Sequence, residues 1–297
     1  MKQPEIKPIN RRSLRQKMHE YKKSPLSLVL LILVLLAAVI TFVTLLFLIG
    51  YILVKGIPHL SPELFAWNYT TDNQSMLPAL ITTIFMTFLS LVIAVPLGIG
   101  AAIYLAEYAK RGNKIVGAVR MAAETLSGVP SIVYGLFGML FFVTALHWGY
   151  SLLAGAFTLA IMILPLVMRT TEEALLSVSD TLREGSFGLG AGKLRTVFKI
   201  VLPSAVPGIL AGIILAVGRI VGETAALIYT SGTVAAVPKT PMSSARTLAV
   251  HMYALTDNGL YMDQAYATAV VLLIVVLAIN FLSAVLAKRV AAKSIER

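Results

Sequence analysis

Arg219 and Glu223 stand four residues apart inside an otherwise apolar stretch. Ionised side chains at membrane depth are costly and mark function by default. On one helix, a spacing of four puts both on one face, where they can pair. A guanidinium can also give several hydrogen bonds to an oxyanion. The chemistry on offer is anion contact, with Glu223 holding Arg219 ready until an anion displaces it. A purely structural ion pair is the alternative. Thr224, Ser127 and Ser131 are secondary candidates as neutral donors, although mid-span hydroxyls commonly bond their own helix.

Other chemistries are poorly served. The chain has no cysteine, which excludes disulfides, thiolate metal sites and cysteine nucleophiles. His19, His59, His147 and His251 are scattered, and none has a metal-ligand neighbour at helical spacing. Gly192-Lys193 looks like the end of a phosphate-binding loop. That motif needs a glycine where Phe187 stands and Ser or Thr where Leu194 stands, so the match fails twice. No ATP hydrolysis and no bound cofactor are expected of this chain. No nucleophile–base arrangement is visible, so a membrane-embedded enzyme is the weaker alternative.

The elements that position these residues are membrane spans. The chain has 297 residues, 58% hydrophobic and 13% charged, whereas a soluble domain carries about 25% charge. A span needs about 20 apolar residues. The uncharged runs 24–54, 73–106 and 125–168, with two further apolar stretches, give spans at 27–54, 77–106, 122–145, 150–170, 204–229 and 264–287, an all-α membrane protein of six transmembrane helices. The first run is too long for a signal-peptide core and is read as a retained span. Pro96, Pro130, Pro165 and Pro207 fall inside spans, where proline bends helices.

Lys and Arg mark the cytoplasmic side. Eight lie in the tail from Lys2 to Lys23, and others cluster at Lys110–Arg120, Arg169–Lys199 and Lys288–Arg297. The opposite side has only Lys55, Lys239 and Arg246. Both termini are therefore expected in the cytoplasm of a multi-pass plasma-membrane protein. The net charge of +11 follows from this asymmetry without a nucleic-acid partner. The expected organisation is a cytoplasmic basic tail at 1–24, a permease-like domain at 25–289 and a cytoplasmic tail at 290–297. The outer segments 55–76 and 231–263 are where an external partner would land. The second is read either as a short gating helix or as a surface element.

The cytoplasmic segment 171–202 is long, rich in helix formers and of mixed charge. Loops of such length inside a compact protein are usually functional. A helix–turn–helix bent at Gly190 would present a knob to a partner. Glu184-Gly185-Ser186 is followed after three residues by Gly190, and nine residues further on by Ile200-Val201-Leu202-Pro203. This spacing resembles the coupling motif of bacterial ABC importer permeases, with Gly185 and Ser186 in place of two alanines. The resemblance implies a type I ABC importer permease fold whose cytoplasmic coupling helices sit in a groove of a separate ATPase. In that family a small helix face allows close approach, and the glutamate bonds across the contact. Pro203 is expected at the start of the fifth span, where proline suits a first helical turn.

Four further stretches narrow the resemblance: Pro96–Tyr108, Ser127-Gly128-Val129-Pro130-Ser131, Arg169-Thr170-Thr171-Glu172-Glu173-Ala174 and Gly218–Ala225. Together they are similar to the permeases of the high-affinity phosphate importer, PstA type. The resemblance implies a second, PstC-type permease beside this chain. It also implies two PstB-type ATPase subunits inside, which hydrolyse the ATP, and a PstS-type phosphate-binding protein outside. A permease of the same architecture for another oxyanion or small solute is the alternative.

Overall fold

The computed structural model describes residues 25–110, 112–257 and 259–295. The basic tail at 1–24, with His19, lies outside the described residues, as do Arg111 and the last two residues of the 290–297 tail. Among the described residues every regular element is helical.

Five helical stretches are long and apolar enough to cross a membrane: Leu26–His59, Leu77–Tyr108, Leu152–Leu176, Lys193–Val221 and Met262–Leu282. A bent pair, Lys114–Ser127 with Ser131–Ala145, makes a sixth candidate. The chain divides at Val54. Before that point, the described residues belong to one long apolar helix, α1 (Pro25–Gly56). The second unit, Lys55–Arg297, contains the remaining elements.

In that unit α2 (Leu77–Ile103) is followed by α3 (Lys114–Ser127), α4 (Ser131–Gly138) and α5 (Leu152–Leu176). Next come α6 (Asp180–Gly188), α7 (Lys193–Thr196), α8 (Leu202–Val221) and the four-residue α9 (Ala225–Ile228). The last two are α10 (Leu248–Asp257) and α11 (Met262–Ile295), the latter running through most of the expected C-terminal tail.

Helix α5 is the axis of the packing. Leu159, Ile163, Val167 and Leu175 on it are fully buried, between α2 and α8. Helices in lipid gain little from apolar burial and associate by close packing of small residues. Gly98 of α2 and Gly212 of α8 supply that closeness on either side. A Cβ on Gly98 would meet Val167 Cγ1 at 2.8 Å, and one on Gly212 would meet Thr170 Oγ1 at 2.0 Å.

Two expected spans differ from what the sequence suggests. The third does not run unbroken from 122 to 145: α3 and α4 meet at a bend of 101°. Pro130 has no N–H to give a preceding carbonyl, and its ring crowds the turn before it. The Leu126 carbonyl, which loses that partner, accepts from Val129 N at 3.1 Å and from the Tyr134 hydroxyl at 2.8 Å. The fifth span does not reach 229. Helix α8 stops at Val221, and the chain restarts as α9 after Gly222–Thr224. The fifth span also begins earlier than 204, because the helix runs from Lys193 through a π-turn at Val197–Val201. A π-turn inserts one residue into the helical ladder, and here it sits just ahead of Pro203, which cannot donate. Pro203 therefore lies within a longer helix.

Gly212→Val is expected to force α8 away from α5, costing roughly 1–3 kcal/mol as overpacking. Thermal unfolding of the purified chain in detergent checks it: the midpoint should fall, and an unchanged midpoint would mean that Thr170 swings aside.

Candidate functional site

Two regions gather the residues singled out above. The first is the hairpin formed by α6, the Leu189–Gly192 turn and the start of the α7–α8 helix. Ser179 caps α6 by accepting from Thr181 N at 3.3 Å. Gly190 has φ +82°, a left-handed conformation that suits glycine because no Cβ obstructs it. The arms are closed by Ser186 Oγ against Thr196 Oγ1 at 2.8 Å, both residues buried. Ser186 thus faces the hairpin's own second arm, which explains a small polar residue there. Gly185 is open on the outside, with nothing within 4 Å of an added Cβ. Glu184 is exposed, while Ile200, Leu202 and Pro203 are half-buried along the returning helix.

The hairpin exposes a set of large apolar side chains: Leu182 46%, Phe187 47%, Leu189 91%, Leu194 66% and Phe198 48%. Contiguous exposed apolar side chains rimmed by charge mark interaction surfaces.

Arg183 clamps this knob to the bundle. Its Nη2 donates to Glu107 Oε1 at 2.8 Å and to the Leu175 carbonyl at 2.8 Å. Its Nη1 donates to the Val178 carbonyl at 2.6 Å and to Asp180 at 3.1 Å. Leu175 and Val178 lie at the C-terminal end of α5, where free carbonyls and the helix dipole favour a cation. Glu107 belongs to the π-turn that ends the α2 span. One guanidinium therefore ties the hairpin to two spans. Lys193 adds a cation–π contact with Tyr108, 5.1 Å from the ring centre. Nearby, Arg120 Nε donates to the buried Glu172 at 2.8 Å, and Arg169 reaches Glu173 at 3.1 Å and Glu124 at 3.6 Å. Arg120 and Glu124, at the start of the third span, are both bound into these pairs.

The second region is where the two breaks approach each other. A Cβ on Gly135 would lie 2.8 Å from Ala226 Cα, so α4 and α9 are in backbone contact. Arg219 is half-buried in the last turn of α8, within electrostatic reach of Tyr134 on α4. The expected Arg219–Glu223 pair does not form. The helix ends at Val221, so the four-residue spacing no longer stacks the two side chains. Glu223 Oε1 instead accepts from Ala226 N at 3.0 Å, capping α9, and the residue is buried. No ion pair involves Arg219 among the described residues. Ser127 bonds its own helix through the Ala123 carbonyl at 3.0 Å. Thr224 makes only a 3.5 Å contact with the Gly222 carbonyl, and Ser131 is half-buried on the first turn of α4.

Sequence reasoning gave Glu107, Glu172, Arg183, Arg246 and His251 no pairing or binding role, because their partners lie far off along the chain or are buried by other elements. His251 is fully buried and neither ring nitrogen has a hydrogen-bond partner. Burial, reinforced by the charge of Arg246, pushes its pKa down to about 3.

Two outcomes follow. Arg183→Met leaves Glu107 buried and uncompensated, a loss expected to cost about 3–5 kcal/mol; the unfolding midpoint of the chain in nanodiscs reports it. His251 takes a proton in the unfolded chain near pH 6.5 but in the folded chain only near 3. Stability should hold above pH 6.5 and decline as pH falls below it. Melting curves across pH 7.5 to 4.5 should show that slope, and His251→Met should flatten it.

The profile of the family described as binding-protein-dependent transport system inner membrane component matches residues 94–295. The chain is similar to the probable ABC transporter permease protein YqgI of Bacillus subtilis, 35% identical over 268 residues, 82% of this chain and 89% of that one. It is also similar to the phosphate transport system permease protein PstA of Haemophilus influenzae, 38% identical over 182 residues, 61% of this chain and 64% of that one. Among solved structures, a bacterial ABC transporter involved in alginate import aligns with a TM-score of 0.66 at 18% identity, covering 92% of this chain and 99% of that one. The MetNI methionine ABC transporter aligns at 0.54 with 21% identity, covering 72% and 94%. At such identities the two solved structures speak for the fold alone.

Proposed function

The chain belongs to the binding-protein-dependent transport system inner membrane component family, and we propose that within it the protein is the PstA-type permease that carries inorganic phosphate inward. Its fold is that of type I ABC importer permeases, and it is a permease subunit of an ABC importer. Phosphate as the solute is the finer reading. It is supported by the similarity to PstA permeases, 38% and 41% identical over 182 residues. YqgI, whose name gives no solute, matches over a longer stretch.

The observation that carries the reading is the guanidinium of Arg219. It has no carboxylate partner among the described residues and sits at a break in an apolar helix. A charge held there without a counter-ion favours a passing anion. A weak, transient site is what conduction needs, since tight binding would slow release. Thr224 and Ser131 are secondary donors along the path, and Ser127 joins them by turning its hydroxyl away from the Ala123 carbonyl. Glu223, as the cap of α9, keeps the break in shape.

The hairpin is the coupling element in this reading. Glu184, Gly185, Ser186, Gly190, Ile200, Leu202 and Pro203 form the motif, and the exposed leucines and phenylalanines seat it in an ATPase groove. ATP is hydrolysed by that separate PstB-type pair, and this chain binds no cofactor. A PstC-type permease lies beside it and a PstS-type binding protein docks on the far face. Alternating access follows when ATPase closure moves the hairpin and, through Arg183, the ends of the spans behind α2 and α5. The permease domain takes in residues 25–289, with the coupling loop at 171–202 and both tails in the cytoplasm.

Two substitutions test the two halves. Glu184→Lys should leave membrane insertion intact and abolish copurification with the ATPase; normal assembly and uptake would remove the docking assignment. Arg219→Gln should cut phosphate uptake about tenfold or more while ATPase binding persists, the loss expected for a charged hydrogen-bond donor. Uptake competition among phosphate, sulfate and arsenate decides the solute.

A further inference from the structure

A second cation site lies at the other end of α5 from the hairpin. Ser151, which caps α5, donates its N–H to the Thr230 carbonyl at 3.1 Å, and Leu152 N donates to Ser243 at 2.9 Å. The loop from Thr230 to Thr247 is thereby fastened to the start of α5, about 37 Å from the Arg183 clamp by helix length. The loop folds inward: Thr230, Ser231, Ala245, Arg246 and Thr247 are buried. Arg246 N donates to the Val234 carbonyl at 3.0 Å, so two strands of the loop hold each other.

Arg246 is 7% exposed, and its Nε and Nη2 have no hydrogen-bond partner. No carboxylate pairs with it among the described residues. The guanidinium lies over the ring of Tyr69, 4.6 Å from the centroid. Tyr69 is fixed in turn by its hydroxyl, which donates to Gln74 Oε1 at 2.8 Å. His251 packs edge-on to Tyr69 at 6.3 Å. Arg246 lines a cavity of about 730 Å³ together with Lys239, Asn68, Trp67 and Thr233. Lys239, Trp67 and Asn68 stand exposed on its rim.

A buried guanidinium with unsatisfied donors and no counter-charge is expensive. The cost is recovered when an anion enters. We propose that this cavity is an entry site for a tetrahedral oxyanion, with Arg246 as the anchoring cation and Lys239 steering from the rim. The proposal rests on phosphate as the cargo and gives it a first stop on the face away from the hairpin, before Arg219. A free ion suits the place better than a protein carboxylate, because a nearly buried side chain is reached only by a small ligand. Tyr69 holds the guanidinium plane in place, so little is lost in ordering it on binding. The neutral His251 adds no competing charge.

The test is equilibrium binding of inorganic phosphate to the full-length chain in phosphatidylcholine nanodiscs. Arg246→Gln should weaken binding about tenfold or more, and Arg246→Lys should recover part of it. Lys239→Gln, on the exposed rim, should weaken binding about threefold and lower its dependence on salt. If Arg246→Gln does not fold, Lys239→Gln and Arg246→Lys carry the result. Unchanged binding in the folded variants would overturn the site, even with phosphate uptake intact. Loss of phosphate binding in discs containing phosphatidylglycerol, relieved by Arg246→Lys, would assign the cavity to a lipid headgroup and overturn the free-ion proposal. If sulfate binds in an Arg246-dependent way and phosphate is neither bound nor taken up, the oxyanion site stands and the cargo reading falls.

Discussion

Hydrocarbon offers no partner for a backbone N–H or C=O, so every break in a spanning helix must be closed by the protein itself. That constraint organises this chain. The break at Gly128–Pro130 is closed when Tyr134 donates to the Leu126 carbonyl. The break at Gly222–Thr224 is closed when Glu223 accepts from Ala226 N. At the end of α5, Arg183 donates to the carbonyls of Leu175 and Val178. One of these closures uses Glu223, which spacing alone pairs with Arg219.

The closures also decide which charges stay available. Glu223 is spent on the backbone, so Arg219 is left without it. Glu172 and Glu107 are spent on Arg120 and Arg183. Among the described residues, Arg219 at the break of α8 and Arg246 in the far loop have no carboxylate partner. An anion pathway needs such cations, held in place yet not neutralised. The packing around α5 supports this arrangement, because Gly98 and Gly212 let α2 and α8 approach it closely.

Much of the fold was legible in the sequence. Long uncharged runs announce spans because charge in hydrocarbon is costly, and the structure has helices at each of them. The hairpin was legible too, since Gly190 and the mixed-charge arms around it are local signals. The bends were not. A proline marks a place where a helix can break, but whether it breaks depends on a partner such as Tyr134 or Gly135 being near in space. Pro96 and Pro165 stay within continuous helices, whereas Pro130 sits at a bend of 101°.

The pairing of charges was likewise beyond the sequence. Spacing predicts that Arg219 meets Glu223, because on one uninterrupted helix residues four apart share a face. The helix stops between them, and contacts more than fifty residues apart take over, as in Arg183 with Glu107 and Arg120 with Glu172. The sequence by itself determined that this is a helical membrane protein with a hairpin bent at Gly190, because hydropathy and glycine act locally. Only the tertiary structure decided which ions are paired and which stand free, because that depends on which helix ends are brought together, and no spacing along the chain encodes it.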